Sequence, residues 1–148
     1  MNYTDVVGKK LNILLKKTND TEKLFEKAAE HAKNPSLKVF FAQKAVERNG
    51  FGRKLKDEIM NFSHDVEADT STAGKLHRGW MDVKAFFSTN NDKSMLEEAI
   101  IGERAAIEEY KDVLLETPLP TTTEVMLTQQ MNLISNNLSK IRSMEEFA

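Results

Sequence analysis

Residues 93–116 read KSMLEEAIIGERAAIEEYKDVLLE, and this stretch decides the fold. Its inward side chains recur in alternating steps of four and three residues, which places them on one face of an α-helix. Pro118 and Pro120 follow directly, and proline cannot continue a helix. The pattern therefore predicts a long amphipathic helix that ends near Glu116. Its predicted inward residues are Leu96, Ile100, Glu103, Ile107, Tyr110 and Leu114.

Three further segments have the same helical periodicity. They span about 4–33, 35–62 and 121–146. Asn34 and Pro35 separate the first two segments, and they are suited to the N-cap and the first turn of the second helix. The apolar pattern of the second segment continues through Asn49 and Gly50, so we predict one unbroken helix there.

The connections between these helices predict how they are arranged. The joins within each pair are short, whereas the join between the second and third long helices contains a polar loop at about 64–74 and a short helix at about 72–87. One long crossover in a bundle is the ferritin-like connectivity. We therefore predict a single all-α domain over 1–148, a ferritin-like antiparallel four-helix bundle with a short extra helix in the crossover between helices 2 and 3.

Composition excludes several classes of function. The sequence has no cysteine, which rules out disulfides and thiolate metal ligands. Its 21 basic and 23 acidic side chains are interspersed, without the basic face that nucleic-acid binding requires. No apolar run approaches the roughly 20 residues of a membrane span, and the first residues lack the apolar segment of a secretion signal. We expect neither nucleic acid nor a membrane as a partner.

Polar residues interrupt the apolar faces near the middle of the predicted helices. Glu103 lies one turn from Ile100 and Ile107, at an inward position. A carboxylate in a core requires a cation or strong donors, because its desolvation costs several kcal/mol. The polar residues of the other helices at similar depth are Thr18, Thr21 and Glu22, then Lys44, Glu47 and Arg48, then Gln130 and Asn137.

Two arrangements satisfy such a carboxylate. In the first, Lys44 or Arg48 pairs with Glu103, and Gln130 and Asn137 complete a structural polar network. In the second, Glu22, Glu47 and Glu103 are candidate ligands of iron or manganese, as in carboxylate-bridged metal sites of helical bundles. The sequence has no Glu-x-x-His motif, which such sites use, so we favour the structural network.

Another local cluster lies in the crossover. It reads His77-Arg78-Gly79-Trp80, and Trp80 is the single tryptophan. We interpret Trp80 as the residue that locks the crossover helix onto the bundle. A docking surface for a partner is the alternative, because tryptophan and arginine are common anchors of interfaces.

Specific segments of the sequence resemble a known family. They are LNILL at 11–15, GKLHRGWMDVK at 74–84, LEEAIIGE at 96–103, and Tyr110. On these segments the chain resembles the bacterial ferritin-like four-helix-bundle family known as domain of unknown function 2383. The resemblance implies a ferritin-like bundle and a cytoplasmic bacterial protein, and it brings no established reaction. Glu103 matches the acidic position that follows a glycine in that family.

The sequence favours a protein without catalytic activity. It has no glycine-rich phosphate loop and no signature of an activated nucleophile. We therefore expect a helical bundle, without a cofactor, that acts through protein–protein interaction or self-association, for example as a homodimer. The alternative is a carboxylate-type protein that binds iron or manganese.

Overall fold

The computed structural model describes residues 2–62, 65–66 and 92–145, and these ranges contain four α-helices and no strand. Helix α1 spans Tyr3–His31, α2 spans Pro35–Asn61, α3 spans Asp92–Glu116 and α4 spans Thr121–Glu145. The four predicted long helices are thus confirmed. The helix expected at about 72–87 and the motif around Trp80 lie outside the described residues. In the described part of the chain, no helix is long and apolar enough to cross a membrane.

The turn between α1 and α2 is held by two side chains. Asn34 Oδ1 accepts the backbone N–H of Ser36 at 2.8 Å, which confirms Asn34 as the N-cap of α2. Asp92, the first residue of α3, accepts the backbone N–H groups of Lys33 and Asn34, each at 2.9 Å. This carboxylate therefore ties the start of α3 to the turn between the first two helices.

The helices pack chiefly within two pairs, α1 with α2 and α3 with α4. In the first pair, the ring of Tyr3 lies 6.3 Å from that of Phe62, whereas Lys38 Nζ donates to the carbonyl oxygen of Ala29 at 3.2 Å. The start of α1 thus lies against the end of α2, and the end of α1 against the start of α2. Contacts between α1 and α3 connect the two pairs.

The buried apolar side chains of the described residues form two clusters along the bundle. The first cluster contains residues from the start of α1, the end of α2, the end of α3 and the first half of α4, and the second contains residues from the other half of each helix. Between the two clusters, each helix contributes a buried polar residue. These residues are Thr18, Arg48, Glu103 and Asn137.

Replacement of either of two glycines of α2 by leucine is expected to change the stability, in opposite directions at the two positions. A Cβ atom at Gly52 would lie 3.2 Å from Asn19 Oδ1 on α1, whereas one at Gly50 would meet nothing within 4 Å. We expect Gly50→Leu to raise the free energy of unfolding by about 0.5–1 kcal/mol, because glycine is a poor helix former. We expect Gly52→Leu to lower it by about 1–3 kcal/mol through overpacking between α1 and α2. Urea unfolding of both variants tests this, and equal stabilities would contradict it.

Candidate functional site

A buried ion pair joins α2 to α3 in the middle of the bundle. Arg48 NH2 donates to Glu103 Oε2 at 2.5 Å, and the two side chains are 2% and 1% exposed. The predicted inward position of Glu103 is confirmed, and Arg48 supplies the predicted cation. The pair therefore joins the two halves of the fold at the level between the two apolar clusters.

Aromatic rings form the surroundings of Arg48. The guanidinium carbon lies 5.5 Å from the ring centroid of Phe25 and 5.5 Å from that of Phe51. The negative faces of aromatic rings attract a cation, and they do so more strongly away from water. The two rings and the Glu103 carboxylate together compensate for the burial of the guanidinium charge.

The pKa of Glu103 is determined by effects that oppose one another. Burial raises the pKa of this carboxyl group above its usual range, while the charge and hydrogen bond of Arg48 lower it. The negative charge of Glu47 raises the pKa further, and the amide of Asn137 lowers it. The net direction is upward, so the carboxylate is held by its partner against a strong desolvation cost.

The two other candidate metal ligands lie in separate hydrogen-bonded pairs. Glu47 Oε1 accepts a hydrogen bond from Asn137 Nδ2 at 2.7 Å, and its other oxygen lies 3.6 Å from Lys44 Nζ. Glu22 Oε2 accepts one from Asn49 Nδ2 at 3.2 Å. The described residues include no group of three histidine, cysteine, aspartate or glutamate side chains that could hold a metal ion. Iron or manganese binding by Glu22, Glu47 and Glu103 stays a prediction.

A second polar contact links α3 to α4 and α2. The hydroxyl group of Tyr110 donates to Gln130 Oε1 at 2.6 Å, and Gln130 Nε2 donates to the carbonyl oxygen of Phe51 at 3.4 Å. Burial raises the pKa of Tyr110 from its usual value of about 10 to about 12, so the phenol stays protonated and keeps donating even in mildly alkaline solution. The predicted inward position of Tyr110 is confirmed, because its side chain is buried.

Three buried polar atoms of the described residues have no hydrogen-bond partner, and two of them belong to the central ion pair. They are Arg48 Nε and Glu103 Oε1, and the third is Glu109 Oε2. Arg48 thus holds one oxygen of Glu103, whereas the nearest other donor acting on the carboxyl group, the amide of Asn137, does not reach Oε1 in hydrogen-bonding geometry. A buried acceptor of this kind is rare in proteins.

Sequence reasoning missed two buried asparagines on α1, Asn12 and Asn19. Asn12 Nδ2 donates to the carbonyl oxygen of Asp65 at 3.0 Å and so holds the chain just after α2. Gly8, Asn12, Leu15 and Asn19 are all buried and follow one another in steps of four, three and four residues. The spacing of these four residues is that of a second inward row on α1. Two of them are asparagines, so the row does not stand out as an apolar face.

The sequence comparisons agree with the family resemblance. The model of a family described as a domain of unknown function (DUF2383) matches residues 6–116. The chain belongs to this family. The part matched to the DUF2383 domain includes Arg48 and Glu103, whereas α4, with Gln130 and Asn137, lies beyond it. The chain matches no curated protein and no solved structure.

Proposed function

We propose that this member of the DUF2383 family is a non-catalytic helical-bundle protein that acts through protein–protein contact, and that it forms a homodimer. The main support for a non-catalytic role is the Arg48–Glu103 ion pair. The carboxylate in the middle of the bundle already has a cationic partner, and the described residues around it hold no activated nucleophile or proton-transfer pair. Such a pair supports the fold and positions the helices relative to one another.

The proposed fold is a single ferritin-like antiparallel bundle with the extra helix in its crossover. The opposed contacts of α1 and α2, the pairing of α3 with α4, and the long connection between these pairs support it. The bacterial origin and the cytoplasmic location rest on the family resemblance. The lack of cysteine is consistent with a reducing compartment.

The self-association is supported by a row of exposed apolar residues on α2. Val39, Val46 and Met60 are 57%, 74% and 59% exposed, and they stand with Arg53 at seven-residue intervals. A seven-residue repeat keeps a helix face in register with a partner helix. In a two-fold antiparallel pairing, Val39 of one copy meets Met60 of the other, so the row is complementary to itself. This symmetry favours a second copy of the chain as the partner.

Replacement of one residue of this row tests the homodimer. We expect the wild type to sediment as a dimer at high micromolar concentration, and Val46→Arg to sediment as a monomer, because the new positive charge would face Arg53 of the other copy. Leu115→Arg is the matched control, since Leu115 is 84% exposed on α3, away from the row. A monomeric wild type, or equal dissociation by both variants, would exclude this interface.

The second candidate function is a carboxylate site for iron or manganese. Glu103 Oε1 has no donor, and the charge of Glu47 acts on the same carboxyl group, so two of the three candidate ligands lie near each other. Oxygen ligands of this kind suit manganese and iron. The positive charge of Arg48 argues against the site, as does the lack of a third nearby ligand among the residues that the structure describes.

Incubation with metal distinguishes the two proposed functions, a non-catalytic bundle and a carboxylate metal site. After anaerobic incubation with iron or manganese and removal of free metal, we expect elemental analysis to find no stoichiometric metal, because a divalent cation would have to displace the Arg48 guanidinium. A content of about one or two ions per chain, lost in Glu103→Ala, would establish the metal site instead. Glu97→Ala is the control, because Glu97 is exposed on the same helix.

A further inference from the structure

Helix α4 contains a long stretch without charge. Residues 125–139 read VMLTQQMNLISNNLS and include no acidic or basic side chain, although 30% of the whole sequence is charged. Exposed residues of α4 follow one another in steps of four and three, the spacing of a seam between two helices. These residues, called the amide stripe here, are Val125, Gln129, Asn132, Asn136, Ser139 and Ser143. Charged residues are depleted at the centre of protein interfaces, so the stripe has the composition of a contact surface.

The amide stripe borders an open groove between α4 and α2. The groove has a volume of about 340 Å³. Its lining includes Gln129, Asn132, Leu133 and Asn136 on α4, and Phe51 and Lys54 on α2. Leu133 is 42% exposed. This side of the bundle, called the α2–α4 side, therefore offers both apolar surface and exposed amide groups to a partner.

The spacing of the stripe makes it complementary to itself. A two-fold axis at Asn132 places two copies of α4 antiparallel to each other. Val125 of one copy then meets Ser139 of the other. Gln129 meets Asn136 in the same way, and an amide group both donates and accepts hydrogen bonds. The pattern therefore fits a second copy of this chain.

A lysine at the edge of the α2–α4 side meets an acidic residue in this pairing. Gln130 donates to the carbonyl oxygen of Phe51, so these two residues lie at the same height of the bundle. Lys54 follows Phe51 by three residues on an antiparallel helix and so lies level with position 127 of α4. Glu47 lies level with Asn137, which donates to it at 2.7 Å. Positions 127 and 137 are equally far from the axis, which brings Lys54 of one copy to the height of Glu47 of the other.

The other lysine at this edge is Lys140, and it also finds an acidic residue. Glu58 accepts a hydrogen bond from Thr123 at 3.2 Å, so it lies level with the start of α4. The axis brings Lys140 of one copy to about this height on the other. Opposite charges at matching heights favour this register over a shifted one.

We propose that the α2–α4 side binds a second copy of this chain, in an antiparallel two-fold contact centred on Asn132. The contact differs from the proposed dimer, because the exposed row on α2 lies toward α1. Arg53 of that row donates to Asn49, which itself donates to Glu22 on α1. The amide stripe is largely polar and its desolvation is costly, so this contact is the weaker of the two.

The two contacts together define a closed assembly, an inference that rests on the proposed dimer. The row on α2 has its two-fold centre between Val46 and Arg53. This centre is level with Asn132 on α4, because Phe51 lies opposite Gln130. Both axes therefore lie at one height, on adjacent sides of the bundle that face roughly at right angles. Perpendicular two-fold axes that intersect give a closed tetramer, whereas axes at different heights would give an open filament.

Single cysteines test the register, since the chain has no cysteine of its own. Asn132→Cys places two thiols at the axis, close enough for a disulfide. Val125→Cys and Ser139→Cys each place their two copies about 21 Å apart, from seven residues of about 1.5 Å on each side of the axis. All three positions are exposed, so the core stays intact.

In a glutathione redox buffer, we expect Asn132→Cys to form a covalent dimer at least about tenfold faster than Val125→Cys or Ser139→Cys alone. A mixture of Val125→Cys and Ser139→Cys should link these two proteins to each other. Equal rates for the three single variants, or no link between the mixed proteins, would overturn the proposal.

The Val46→Arg background distinguishes this contact from the proposed dimer. We expect Asn132→Cys/Val46→Arg still to cross-link and its product to sediment as a dimer, whereas cross-linked Asn132→Cys sediments as a tetramer. Loss of the cross-link in Val46→Arg would overturn the proposal, because the link would then depend on the row on α2. Cross-linking of Asn132→Cys in a protein whose wild type is monomeric would support the α4 contact and exclude the dimer alone. A cross-linked Asn132→Cys that stays a dimer, while the wild type is also a dimer, would overturn the closed tetramer.

Discussion

The substitution Arg48→Met is expected to lower the free energy of unfolding by about 3–5 kcal/mol. Methionine fills much of the arginine volume but leaves the Glu103 carboxylate 1% exposed without its cation. An unpaired buried charge is far more costly than the absence of the whole pair. Urea unfolding monitored by circular dichroism measures the effect. For a domain stabilised by about 5–15 kcal/mol, the loss is large and readily measured.

A double-mutant cycle separates the charge from the packing. The double variant Arg48→Met/Glu103→Met removes both charges at once and keeps similar volume, so we expect it to be within about 1 kcal/mol of the wild type or more stable. Arg104→Met is the control for arginine replacement, since Arg104 is exposed on α3. Additive effects of the two single substitutions would show that the ion pair has no energetic coupling.

The pH dependence of the free energy of unfolding is an independent test of the Arg48→Met variant. Without Arg48, the main effect that lowers the pKa of Glu103 is gone, and burial raises the pKa further. A carboxyl group with a raised folded pKa contributes stability that is present below its unfolded pKa, about 4.3, and lost as the pH rises through the folded value. The deficit of Arg48→Met relative to the wild type should therefore grow from mildly acidic to neutral pH. A deficit that is constant with pH would mean that lost packing dominates.

The spacing of residues in the sequence indicates that Arg48 faces the core. Phe41, Ala45, Arg48, Gly52 and Leu55 follow one another in steps of four, three, four and three residues, the spacing of an inward face. All five are buried in the structure. Periodicity therefore predicts which positions of α2 face inward, even where the residue is charged or lacks a side chain, because the helix geometry fixes the face.

The sequence did not determine how the polar residues combine. Lys44 and Arg48 were equivalent partners for Glu103, but Lys44 Nζ instead lies 3.6 Å from Glu47 and 5.4 Å from the ring of Phe40. One helical turn separates the two cations, and the relative axial shift of α2 and α3 decides which of them reaches Glu103. That shift depends on the packing of all four helices, which no single periodic pattern specifies.

Phe41→Ala is expected to destabilise the protein by about 3–5 kcal/mol, the second large effect. Phe41 is fully buried, and its ring lies 6.0 Å from that of Phe25 and 5.7 Å from that of Phe40. Truncation removes the burial of the ring and leaves a void that joins an existing cavity beside Glu103. The surrounding helices cannot close this void, because the central ion pair and the neighbouring rings hold them at their present distance.

The matched control is Ile101→Ala, since Ile101 is a large apolar residue that is 60% exposed on α3. We expect it to change the free energy of unfolding by less than about 0.5 kcal/mol. We also expect benzene to restore part of the stability of Phe41→Ala. The enlarged apolar cavity beside Phe25 can accept such a molecule, and a ligand that binds only the native state stabilises it. A Phe41→Ala loss below about 1 kcal/mol, without any effect of benzene, would show that this half of the bundle repacks, and that the ion pair does not hold the helices apart.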